Sequence, residues 1–303
     1  MTNEEIIKNL DAPRGKIDVV LDTDAYNEVD DQFAIAYLLK YSDRADTKAI
    51  YAAPFFNGKS ENPADGMKKS YDEIIKLLAL MGEKRDVYFG STEYLEDENT
   101  PVYSPAARDL AERVKNYTKE KPLYIVAIGA ITNIASALLL NPEVAERAVL
   151  VWLGGNALHY HDTGEFNMKQ DIAAARVIYK SGIPYVQLPC TGVVSSFTIS
   201  KQELEYWFAG KNPISDYLAK NAIAEAESYA AGKAWTRVIW DVTAVAWLFN
   251  DSEKFMCSKI LDKAYLPEYN KKYESEPTGY PMRYVYYIKR DALINDLINR
   301  VTK

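Results

Sequence analysis

Short apolar runs alternate with longer amphipathic stretches through most of this 303-residue chain. Residues 17–22, 47–53, 123–128, 149–153 and 183–188 read as strands. Residues 28–40, 64–81, a stretch opening at Thr132, and 171–180 read as helices. Few folds accept this pattern. Parallel strands need long crossovers, usually helical, and a parallel sheet must be covered on both faces. The expectation is a mostly parallel sheet with helices on both sides.

After about residue 199 the pattern turns helical, over 201–208, 214–229 and 240–248, and the chain closes with a strand at 283–288 and a helix at 291–301. The fold class is therefore read as α/β: an open, mostly parallel, Rossmann-like sheet with helices on both faces and a helical C-terminal part. No repeat, low-complexity segment or Pro/Gly-rich linker interrupts it, so residues 1–303 are expected to form a single domain.

The first strand runs into Asp22-Thr-Asp24-Ala-Tyr-Asn-Glu-Val-Asp30-Asp31. Four aspartates in so short a span repel one another unless a cation or a reacting group organises them. Asp22 and Asp24 are two apart and share one side of the strand end. Asn27 reads as a helix N-cap, which places Asp30 and Asp31 in the first helical turn. Acids favour helix N-termini, but that explains one of these residues and not four.

A net charge of −7 argues against nucleic acid or an acidic membrane as partner. The apolar runs are too short to span a bilayer, and the N-terminus lacks a basic start followed by an apolar stretch, so a cytoplasmic protein without a secretory signal is expected. Cys190 and Cys257 stand alone and read as reduced core residues.

Three further segments collect at strand ends, where open α/β sheets bind ligands. Ile128-Gly129 ends a buried strand, and its carbonyl can serve a hard cation, although an ordinary strand-to-helix turn reads the same way. Residues 154–168 form a polar loop holding Asn156, His159, His161, Glu165 and Asn167, side chains suited to sugar hydroxyls. The His-x-His pair lacks a third soft ligand for zinc. Trp240-Asp241 opens an apolar helix, where an N-terminal acid is equally an ordinary helix feature.

Together these segments resemble the inosine-uridine-preferring nucleoside hydrolase family, from Lys16 to Lys303. The Asp-x-Asp…Asp-Asp run, Ile-Gly-Ala-Ile-Thr-Asn-Ile-Ala, Gly-Glu-Phe-Asn and Trp-Asp241 occur in family order. The family's Pro-Gly is missing from the first run, which is two residues longer between Asp24 and Asp30. The resemblance implies a calcium ion held by Asp24, Asp31, the Ile128 carbonyl and Asp241, with Asp24 also the general base. It implies ribose contacts from Asp30, Asn57, Glu165 and Asn167, with Asp22 supporting the metal loop. Relatives are commonly dimers or tetramers, so a homodimer or homotetramer is expected.

Two departures bear on specificity. Trp240 stands where many members carry a histidine, and purine-specific members resemble this arrangement, stacking an indole on the base. His159 stands where the family commonly has an asparagine before the ribose glutamate, so His159 or His161 is a candidate for protonating the leaving base. Tyr229, Lys233 and Trp235 are candidates for the same pocket. The function expected is calcium-dependent cleavage of ribonucleosides, purines favoured. A nucleoside fits better than a nucleotide, because no glycine-rich phosphate loop is evident. A non-catalytic ribose-binding relative and a magnesium-dependent haloacid-dehalogenase-like phosphatase are the alternatives. The second leaves Asp241 and Gly-Glu-Phe-Asn unexplained.

Overall fold

The computed structural model describes residues 1–303. Ten strands and twelve α-helices follow one another in the chain. The strands are β1 (Ile17–Thr23), β2 (Ala45–Ala52), β3 (Val87–Phe89), β4 (Leu123–Ala127), β5 (Ala148–Leu153), β6 (Tyr185–Leu188), β7 (Thr198–Ser200), β8 (Thr236–Val238), β9 (Met256–Leu261) and β10 (Met282–Ile288). The helices are α1 (Asn3–Lys8), α2 (Asp30–Lys40), α3 (Pro63–Met81), α4 (Pro105–Arg113), α5 (Thr132–Leu140), α6 (Val144–Arg147), α7 (Phe166–Gln170), α8 (Ile172–Ser181), α9 (Lys201–Glu203), α10 (Pro213–Ala230), α11 (Val242–Trp247) and α12 (Arg290–Val301).

Eight strands form one sheet in the order β3-β2-β1-β4-β5-β6-β10-β9, all parallel except β9, which pairs antiparallel with β10 at the edge. Side chains alternate between the two faces: Val19 and Leu21 enter one core layer and Val20 the other. This is the expected mostly parallel α/β sheet. Chain order reverses between β1 and β4, and a crevice opens there at the carboxyl ends of the strands.

The sequence pattern placed most elements within a residue or two. It missed β3, which is three residues long, the antiparallel edge strand β9, the two-stranded ribbon of β7 and β8, and the helices α1, α4, α6 and α7. The segment read as a helix at 201–208 is a short α-turn followed by a π-helix over Leu204–Phe208. No helix is long and apolar enough to cross a membrane.

Helix α2 is buried from Asp30 to Leu39, sandwiched between the sheet and the C-terminal helices. Its Phe33 meets Phe208 edge to face at 5.5 Å between ring centroids. Because α2 carries two of the clustered aspartates, its seating sets their position. Phe33→Ala is expected to cost about 3–5 kcal/mol in urea unfolding. A loss below about 1 kcal/mol would show that α2 is held by other contacts.

Candidate active site

A cavity opens at the β1/β4 switch point, with Asp24, Asp30, Asp31, Ile128, Glu165, Asn167, Trp240 and Asp241 in its lining. Each follows a strand end or opens a helix. Asp24 comes directly after β1, Ile128 after β4, and Glu165 caps α7 beyond β5. The β7–β8 ribbon returns the chain to the same place, and Ile239 N donates to Phe197 O at 3.1 Å just before Trp240 and Asp241.

Asp30, Asp31 and Asp241 each bring an oxygen within 4.8 Å of the others, and all three are buried. Both Asp24 carboxylate oxygens and Asp30 Oδ1 are buried without a hydrogen-bond partner. Asp31 accepts from the Thr23 hydroxyl. Asp241 precedes α11 yet makes no capping bond, so the ordinary helix-cap reading does not account for it. Asn27 is likewise no cap: α2 is preceded by Val29, and Asn27 Oδ1 is engaged by Asn57.

Burial first, and then mutual repulsion, raise Asp24, Asp31 and Asp241 well above the usual carboxylate range. Burial and the Glu28 carboxylate push Asp30 up to about 7, against the pull of the Arg237 guanidinium. Arg237 is the cation next to the cluster, but it pairs with Glu28 and lies 3.4 Å from Glu225. Positive charge is therefore short where it is needed. A cation fits this donor set: several hard oxygens, some unpartnered, with no soft ligand required.

Asp22 does not line the cavity. Fully buried behind it, Asp22 accepts from Asn133 Nδ2 at 2.7 Å, and burial pushes it up to about 7. Asn133 Oδ1 also takes the Ser91 N–H at 2.7 Å, tying β1 to the β3 side of the sheet. Gly129 leaves the room Asp24 occupies: a Cβ there would lie 3.1 Å from Asp24 Oδ1 and 3.0 Å from the Ala53 methyl.

Glu165 accepts from the N–H groups of Asn167 at 2.8 Å and of Met168 and Gly155 at 2.9 Å. Burial still raises it above its ordinary value, opposed by those three donors. Asn167 Nδ2 donates to the carbonyls of Ile128 at 3.2 Å and Leu153 at 3.0 Å. Its Oδ1 takes no hydrogen bond from the chain and remains an acceptor, and the Ile128 carbonyl keeps a second lone pair.

Two expected site residues do not line the cavity. Asn57 is half-buried outside the lining and donates to Asn27, which is in it. His159 is exposed and lies over Gly192, where an added Cβ would meet its Nε2 at 3.2 Å. His161 points to solvent and pairs with Asp162 at 2.8 Å. Tyr229, Lys233 and Trp235 also lie outside the lining. Asn27, Glu28, Leu153, Phe166, Cys190 and Thr191 complete it. Cys190 is buried as expected but faces the cavity, and its place just beyond β6 was the available signal.

Cation-free protein should lose stability as pH rises. A carboxyl raised in the folded state holds its proton longer than in the unfolded chain, so folding is favoured at low pH and penalised above. For Asp30 the loss runs from about 4, the unfolded value, to about 7. Melting temperature in chelator should fall between pH 5 and pH 8, and a divalent cation should restore it. A flat profile in chelator would contradict the crowding of unpaired carboxylates.

The sequence profile of the family described as inosine-uridine preferring nucleoside hydrolase matches residues 19–271. The non-specific ribonucleoside hydrolase RihC of Salmonella paratyphi A is 29% identical over 160 residues, covering 52% of this chain and 50% of that protein. The chain thus matches about half the length of such curated relatives. Among solved structures, a plant nucleoside hydrolase superposes with a TM-score of 0.75 at 19% identity, over 94% of this chain and 99% of the other. The purine-preferring ribonucleoside hydrolase from Gardnerella vaginalis gives 0.73 at 21% identity, over 94% and 98%. These superpositions show a shared fold. With the profile spanning most of the sequence and the acidic cavity at its centre, the chain belongs to the inosine-uridine preferring nucleoside hydrolase family.

Proposed function

We propose that the chain hydrolyses the N-glycosidic bond of ribonucleosides, purines favoured, in a calcium-dependent reaction that yields ribose and free base. The observation that carries this reading is the Asp24 carboxylate, buried and unpartnered beside Asp30, Asp31 and Asp241. Asp24, Asp31, Asp241 and the Ile128 carbonyl would hold the calcium ion, which when bound supplies a Lewis acid that makes water easier to deprotonate.

Asp24 removes the proton from the attacking water as its oxygen bonds to C1′. The bond from C1′ to the base nitrogen breaks through an oxocarbenium-like state, and the base leaves with the bonding pair. Asp30, Glu165 and the Asn167 carbonyl accept from ribose hydroxyls, and their negative charge and dipoles favour the positive charge developing on the ring. Trp240, packed on the core by one part and lining the cavity by another, stacks on the base. Both histidines lie outside the cavity lining, so the leaving base draws its proton from solvent.

The longer loop leaves Asp24 in the cavity, which supports catalysis over mere binding. Asp22 is walled off from that cavity, so an Asp22–Asp24 nucleophile-and-acid pair of the phosphatase type is not supported. The protein is read as one cytoplasmic domain acting on a small-molecule nucleoside, as a homodimer or homotetramer.

Inosine, adenosine, guanosine, uridine and cytidine, scored for reducing sugar with calcium and with chelator, test the reading. Release from at least one, lost in chelator and restored by calcium, is expected; no release from any would contradict it. Asp24→Ala should lower kcat by about 10²- to 10⁴-fold, and retention of most activity would remove it as the base. Trp240→Ala should cost about 1–3 kcal/mol in kcat/KM on purine nucleosides and less on pyrimidines. An equal loss on both would assign the indole to packing.

A further inference from the structure

The longer loop between Asp24 and Asp30 splits its middle residues between two environments. Tyr26 is 43% exposed and stays out of the cavity, whereas Asn27 is 6% exposed and lines it. Three hydrogen bonds fix Asn27. Its N–H donates to Asp24 O at 2.7 Å, its carbonyl accepts from Lys59 Nζ at 2.6 Å, and its Oδ1 accepts from Asn57 Nδ2 at 2.6 Å.

The orientation of both amides follows from a group that can only donate. The backbone N–H of Lys59 meets the Asn57 side chain at 2.8 Å, so that atom must be Oδ1. Asn57 therefore turns its Nδ2 to Asn27, and Asn27 answers with its own Oδ1. The Nδ2 of Asn27 is left without a partner in the chain. The other amide of the cavity wall, Asn167, spends its donors on backbone carbonyls. The surrounding carboxylates, when ionised, only accept. A ribose hydroxyl that gives its hydrogen to one of them keeps lone pairs that call for a donor.

We propose that Asn27 is a substrate-binding residue whose Nδ2 donates to a ribose hydroxyl oxygen, and that Asn57 is the positioning residue that aims it. This rests on the nucleoside reading above. The amide that reaches the sugar comes from the lengthened loop, and Asn57 acts through it from outside the lining.

Two variants test the donor. Asn27→Ala removes the side chain, and Asn27→Asp keeps an acceptor for Asn57 while deleting the donor. Each should lower kcat/KM about tenfold on the best nucleoside. The loss should vanish on one of the 2′-, 3′- and 5′-deoxynucleosides, read as an inhibition constant where that compound is not turned over. Equal losses on all three overturn the contact. Asn57→Ala should give a similar loss, and the Asn27→Ala/Asn57→Ala double variant should be no worse than Asn27→Ala alone. Additive losses overturn the positioning role. An active wild type with indifferent Asn27 variants overturns this assignment alone. A wild type that neither cleaves nor binds any nucleoside overturns the hydrolase reading and this assignment with it.

Discussion

Buried carboxylates without matching positive charge are the constraint around which this molecule is arranged. Asp24, Asp30, Asp31 and Asp241 share one cavity wall, and the guanidinium beside them is already paired with Glu28. Burial disfavours ionisation of each, and each makes ionisation of the next harder. Such a cluster is costly unless protonated or neutralised by a cation.

The surrounding structure holds that cluster in place. The β1/β4 switch point opens the crevice, and the buried α2 presents Asp30 and Asp31 in its first turn, where the helix dipole favours acids. Gly129 gives Asp24 its space, and Asn133 clamps Asp22 behind it. Lys59, Glu225, Arg237 and Glu28 form a chain of ion pairs along the outer side of the loop. Lys59 reaches across to the Asn27 carbonyl and Arg237 donates to Glu28, so a shift of the loop breaks contacts with both the 57–59 segment and β8.

Much of the site was legible because it lies at strand ends. Asp24, Ile128, Asp30, Asp31, Glu165, Asn167 and Asp241 follow apolar runs or open helices, which marks the rim of the sheet, and the family resemblance singled them out there. Asn27 and Asn57 could not be separated that way. Which amide faces the cavity depends on how a lengthened loop folds against a neighbouring one, a tertiary outcome with no sequence period. His159 fell outside the lining for the same reason, since its loop turns it over Gly192. The strands missed were three residues long, as in β3, or an edge strand of mixed burial, as in β9, where the pleat pattern carries little signal.

Calorimetric titration of calcium into chelated protein at pH 6, in two buffers of different ionisation enthalpy, probes the charge cluster most directly. Saturable binding of one ion per chain with net proton release is predicted, because raised carboxyls must give up protons to bind a cation. Absence of saturable binding, or binding without proton release, would contradict the view that these aspartates are crowded to receive one.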